Sequence, residues 1–180
     1  MVLPRIRPAR LDDAAALSHL QVDSYRSAYA GLLPQDYLDH FTYEEQTHDW
    51  REWLSAPCQD IFLVAEEDTA GVVGYSVGRA GKTALDPYDS ELLSLHVRKS
   101  FQGLGIGRRL FAGVAERLEQ SGCASLMLWV LEANPARAWY ERLGGHLIGR
   151  QYINLGDEGQ PVTACEVAYG WPDIGIWRSK

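Results

Sequence analysis

The chain has 180 residues, 46% of them apolar, and a formal net charge of −7, enough for one domain with a sizeable core and acidic enough to argue against nucleic acid as the main partner. No apolar run approaches a membrane span, and the opening MVLPRIRPARLDD lacks the apolar stretch of a signal peptide. Three scattered cysteines and five dispersed histidines offer neither a disulfide framework nor zinc spacing, so a cytoplasmic protein with no metal site and no membrane partner is expected.

Residues 4–9 alternate polar and apolar side chains and predict a first strand, with Pro4 and Pro8 favouring a sheet edge. Asp12 reads as the N-cap of a helix running to about Ala30, with Gly31 as its stop. Leu17, Leu20 and Tyr25 fall on one face of it. A short turn of helix is expected from Pro34 to His40. Thr42 followed by Glu45 is a capping-box spacing and predicts a helix over 43–54. Residues 61–65 and 72–77 are the arms of a hairpin, 81–89 a loop, and 91–97 the next strand.

Ile106, Leu110, Val114 and Leu118 recur every four residues, an amphipathic helix that ends near Gly122. Residues 125–131 suit a central strand. Asn134 before Pro135 is an N-cap followed by proline at the first helical position, and Gly144-Gly145 stops that helix. Strands over 146–154 and 162–170, joined by a turn at 155–160, follow. Residues 171–180 have no clear period. The order predicts one mixed α/β sheet with helices on its faces.

The chemistry concentrates between Glu91 and Arg109. A strand leads into Gln102-Gly103-Leu104-Gly105-Ile106-Gly107, then Arg108 and a helix. The first amides of a helix lack intrahelical partners and carry the positive end of its dipole, so this turn is a site for a phosphate-bearing ligand. Two nucleotide motifs fail there. A Walker loop needs lysine and a hydroxyl after its last glycine, where Arg108-Arg109 stands. The dinucleotide fingerprint needs glycine where Arg108 or Leu110 stands.

Gln102-x-x-Gly105-x-Gly107 resembles the acyl-CoA pyrophosphate loop of the GNAT N-acetyltransferase superfamily, Arg/Gln-x-x-Gly-x-Gly/Ala after a strand. The block from Asn134 through Tyr140 to Gly144 resembles the superfamily's later Asn…Ala…Tyr-Glu-x-Leu-Gly block, with room for one helix and one strand between the two. Residues 25–34 resemble a stretch common in small bacterial members, with Tyr25 where tryptophan is frequent. The resemblance implies a single domain over 1–180, with a mixed, mostly antiparallel twisted sheet of about seven strands and about four helices. It also implies an acyl-CoA-dependent N-acyltransferase using acetyl-CoA as cosubstrate, acting on a small-molecule or peptide amine by direct attack. A homodimer is common among such proteins. A non-catalytic acyl-CoA-binding module on the same fold is the alternative.

The resemblance also assigns residues. The Leu95 amide would bind the thioester carbonyl, and Val97 would hold the pantetheine by its backbone, with His96 between them in the same cofactor-binding strand. The amides from Gly103 through Leu104, Gly105, Ile106 and Gly107 to Arg108 would hold the pyrophosphate behind Gln102, with charge from Arg108 or Arg109. Tyr140 would protonate the leaving thiolate; by periodicity alone it is core on the Ala136/Trp139/Leu143 stripe. Asn134 would cap its helix and could contact CoA. Glu91 stands where some members carry the general base, although a glutamate at a strand end is equally a solvated one. Regular alternation puts Glu91, Leu93, Leu95 and Val97 on one face and the rival base His96 on the other, unless a strand bulge alters the parity. Tyr25 and Tyr29 would line the acceptor pocket.

Overall fold

The computed structural model describes residues 3–81, 83–155 and 163–177. They form a seven-stranded mixed sheet in the order β1-β2-β3-β4-β5-β7-β6. The elements run β1 (Arg5–Pro8), α1 (Ala14–Ala28), α2 (Gln35–Asp39), α3 (Tyr43–Ser55), β2 (Ile61–Glu67), β3 (Gly71–Ala80), β4 (Ser90–Val97), α4 (Ile106–Gln120), β5 (Leu126–Leu131), α5 (Arg137–Arg142), β6 (His146–Asn154) and β7 (Thr163–Trp171). All strand pairs are antiparallel except β4 with β5. The proline-bearing β1 takes the edge, as expected. The turn expected over 155–160 and the start of its following strand at Val162 fall largely outside the described residues. None of the described helices is long and apolar enough to cross a membrane.

Each sheet face carries its own core. On one, α4 lays Ile106, Leu110, Val114 and Leu118 against Leu63, Val73, Leu92 and the inward residues of β5 and β7. On the other, α1 and α3 bring Leu17, Leu20 and Trp50 onto Val64, Tyr75 and Val77. Two glycines of β3 let α4 sit close: a Cβ on Gly78 would stand 2.4 Å from Val114 Cγ1, and one on Gly74 would stand 3.1 Å from Leu110 Cδ1.

Two helix starts differ from expectation. Asp13, not Asp12, precedes α1, after a 3₁₀ turn over Leu11–Asp13. The Asp13 carboxylate is held by a bidentate contact from Arg7 (2.7 and 2.9 Å) and by the Arg10 amide (2.7 Å), so an ion pair and a capping box over the 3₁₀ turn together fix the strand-to-helix corner. Glu66 on β2 also accepts from Arg7. The last helix begins at Arg137, after a turn. Asn134 caps that turn, its Oδ1 accepting from the Ala136 amide at 2.9 Å.

Candidate active site

The site begins where β4 parts from β5. Only Glu91↔Met127 registers between these parallel strands. Their closed end is clamped: Asp89 accepts from the amides of Ala124 and Ser125 (both 2.9 Å) and from the Ser125 hydroxyl (2.8 Å), while Ser90 Oγ donates to the Ser125 carbonyl at 2.5 Å. Burial pushes the Asp89 carboxyl up, but these donors outweigh it and the net shift is downward. Beyond the clamp the strands diverge.

The register on the other side of β4 says which main-chain groups face the gap. The Arg98 amide donates to the Val73 carbonyl at 2.8 Å. Antiparallel pairs alternate between bonded and non-bonded, and Leu95 pairs Ser76 while Val97 pairs Gly74. Leu95 and Val97 are therefore non-bonded pairs whose N–H and C=O groups point away from β3, toward the gap. The Val97 carbonyl bears this out: it accepts from Gln102 Nε2 at 3.0 Å, which ties the glycine turn back to the strand. His96, between them, belongs to a bonded pair, so its main chain turns to β3.

The glycine turn lies past the open end. Gly103 and Gly105 sit at φ +76° and +78°, with nothing within 4 Å of a Cβ placed on either. Conformation, not crowding, calls for glycine there. Gly107 differs: its Cβ would meet Trp139 Cζ2 at 3.3 Å, so it lets α5 approach α4. The six amides from Gly103 to Arg108 donate no backbone hydrogen bond among the described residues, and the first bond into α4 is Arg109 N–H to the Gly105 carbonyl. They make a turn at a helix N-terminus that is able to hold an anion. Its arginines are partly diverted. Arg109 donates to the Pro4 carbonyl at 2.6 Å, and the Arg108 guanidinium lies 5.4 Å from the Trp177 ring centre.

On β4 the side-chain parity changes once. Val77 pairs Ser94 but Gly78 pairs Leu92, so Leu93 is an extra residue, a β-bulge. Leu92, Leu95 and Val97 pack with the α4 core. Glu91 lies opposite Arg79, Ser94 opposite Val77 and His96 opposite Tyr75, on the α1/α3 side. The regular alternation that would set Glu91 with Leu95 and Val97, and His96 apart from them, is overturned: Glu91 and His96 share a face.

That face carries the expected acceptor residues. Tyr25 stands edge-on to Tyr29 (5.1 Å between ring centres) and 5.5 Å from His96, which is itself 5.3 Å from Tyr75. Burial pushes the His96 imidazole down to about 4, so it is neutral at physiological pH. Burial pushes the Glu91 carboxyl up, with Arg79 opposing and Glu166 adding to it. Tyr140 is 9% exposed in a nest with Trp139, Tyr169 and Trp171. Its hydroxyl makes no hydrogen bond among the described residues, and burial pushes the phenol up to about 12.

Glu166 escaped the sequence reading. It lies on β7, on the face opposite Val167, Tyr169 and Trp171, and pairs Leu131 on the far lip of the gap. The signal was present: a lone carboxylate at a polar parity position in TACEVAYGW.

The comparisons agree with this architecture. The model of the acetyltransferase (GNAT) family matches residues 19–145. The chain is 30% identical over 174 residues to the uncharacterized N-acetyltransferase YuaI of Bacillus subtilis (strain 168), covering 97% of this chain and 96% of that one. It shares the fold of the PaiA N-acetyltransferase of Thermoplasma acidophilum, solved in complex with coenzyme A, with a TM-score of 0.69, 18% identity and coverage of 95% and 100%. It also shares the fold of YncA of Salmonella typhimurium, solved with its cofactor acetyl-CoA, with a TM-score of 0.66, 18% identity and coverage of 97% and 95%.

Proposed function

The chain belongs to the acetyltransferase (GNAT) family, and from that premise we propose that it transfers acetyl from acetyl-CoA to a primary amine by direct attack within a ternary complex. One observation carries the proposal. The unbonded amides of Gly103–Arg108 and the gap-facing main chain of Leu95 and Val97 lie along one path, from an anion cradle to the splayed strands. A pyrophosphate at one end and a thioester at the other match that path.

In this reading the cradle amides bind the pyrophosphate and the Val97 amide holds the pantetheine. The Leu95 amide donates to the thioester oxygen as negative charge develops on it, usually a large catalytic contribution. The acceptor arrives as an ammonium and must lose a proton before its lone pair can attack. Glu91, held up by burial, takes that proton. Four residues at the usual strand rise put Glu91 roughly 13 Å along β4 from Leu95, so the proton crosses a water chain. The N–C bond forms, the C–S bond breaks, and Tyr140 gives its proton to the departing sulfur. A phenol this buried is fully protonated at neutral pH, as an acid in that place must be.

Calorimetry with acetyl-CoA tests the cosubstrate, and an amine panel with free-thiol detection tests turnover. Acetyl-CoA binding with acceptor-dependent thiol release supports the proposal. No binding at millimolar acetyl-CoA overturns it, and binding without thiol release for any amine favours the non-catalytic module.

A further inference from the structure

We propose that Glu166 is an acceptor-binding carboxylate that selects amines bearing a second positive charge, with α,ω-diamines and polyamines as the substrate class. The inference rests on the acyltransferase reading and names the substrate of that same site.

Placement comes first. Glu166 and Glu91 lie on the same sheet face, on opposite sides of the β4–β5 gap: Glu91 at the closed end beside Met127, and Glu166 opposite Leu131, four residues further along β5. The Glu166 side chain is propped from β6 by Gln151, whose Nε2 donates to Oε2 at 2.9 Å. Oε1 accepts no hydrogen bond among the described residues. Tyr25 on α1 stands beside Tyr29, just past that helix, and is linked to Tyr37 on α2 through Phe41, whose ring centre lies 5.0 Å from that of Tyr25 and 5.5 Å from that of Tyr37. Burial is the main reason all three phenols are pushed up, and each also feels the charge of Glu166. Glu91, on the other side of the gap, is raised in part by the same charge.

The nearby arginines are turned elsewhere. Arg79 is clamped on Asp60 at 2.8 and 2.7 Å, Arg137 donates to Tyr169 on the other sheet face, and Arg150 pairs with Glu132. The face that carries Glu91 and Glu166 therefore presents negative charge and aromatic surface, a combination that attracts cations and repels a carboxylate on the acceptor. The two carboxylates also do different work. The ammonium beside the thioester gives up its charge on reaction, through Glu91. Glu166 holds a charge that the reaction does not consume, so the ligand that uses both carries two amines.

The test titrates α,ω-diamines of increasing length, their monoamine analogues and the matching ω-amino acids into the full chain saturated with CoA. Calorimetry reads binding, and thiol release from acetyl-CoA reads turnover. Diamines of the best length should bind about tenfold to a hundredfold tighter than monoamines, the range of a charge-assisted hydrogen bond, and ω-amino acids weakest. Glu166→Gln should bring the diamine-to-monoamine ratio close to one, Glu166→Asp should restore part of it, and Glu166→Lys should shift preference toward ω-amino acids. Equal binding of diamines and monoamines by the wild-type chain, or an unchanged ratio in Glu166→Gln, overturns the proposal. Selective diamine binding without thiol release keeps it and overturns the catalytic reading instead.

Discussion

Glu91 and His96 project from the same face of β4, although an odd number of positions separates them. The bulge at Leu93 makes this so. It inserts one residue opposite the Val77–Gly78 step and reverses the parity of everything C-terminal to it. Leu95 and Val97 thereby turn their side chains to the α4 core, while Glu91 and His96 look together toward the face that carries Tyr25.

The two candidate bases are separable by pH. Burial raises Glu91, so its basic form is populated only above an elevated carboxylate value, and activity should rise with pH through that value. His96 is already deprotonated above about 4 and contributes no step near neutrality. Glu91→Gln should lower kcat by about 10²-fold and abolish the acid limb of the pH–rate profile. His96→Gln should leave that limb in place.

Tyr140→Phe keeps the ring in its nest and removes only the hydroxyl. We expect kcat to fall by about 10²-fold with little change in acetyl-CoA binding by calorimetry. Because burial holds the wild-type phenol up to about 12, it should impose no alkaline limb below that pH.

Gly105→Ala forces a side chain into a left-handed backbone at φ +78°. It should cost about 1–2 kcal/mol and weaken acetyl-CoA binding, because the strain is relieved by moving the cradle amides. Gly107→Ala should perturb Trp139 instead, through a 3.3 Å contact at ordinary backbone angles. Comparing denaturant midpoints with acetyl-CoA affinities for the two variants separates backbone strain from side-chain crowding.

The strand clamp predicts a coupling between stability and cosubstrate binding. Asp89→Ala strips three donors of their acceptor at the closed end of the gap. It should destabilise the chain by about 1–3 kcal/mol and weaken acetyl-CoA binding, since the spacing of β4 and β5 is no longer fixed. Wild-type affinity in this variant would show that the clamp does not set the gap.

The Arg7 corner predicts acid sensitivity. Hydrogen bonds from Arg7 hold Asp13 below its ordinary value against burial, and hydrogen bonds from Arg7 and then Arg5 hold Glu66 down to about 2. Carboxyls lowered in the folded state stabilise it above their unfolded values, and that stabilisation is lost as pH falls through the folded ones. The Tm should drop between pH 4.5 and about 2. Arg7→Met should flatten that dependence and, by leaving Asp13 buried without its cation, cost about 3 kcal/mol at neutral pH.

Local patterning in the sequence determined the element order, the edge position of β1, the glycine turn and the separation of Gln102 from Asn134. Hydrophobic periods, glycines and prolines act within a few residues of themselves, so they are legible along the chain. Which face Glu91 and His96 share was decided only in three dimensions, because a bulge is set by cross-strand register and not by the strand that carries it. The diversion of Arg109 to Pro4 and the placing of Glu166 on the sheet face that carries Glu91 needed the assembled sheet as well. Those relationships join residues far apart in the chain, and only the strand pairing of the assembled sheet brings them together.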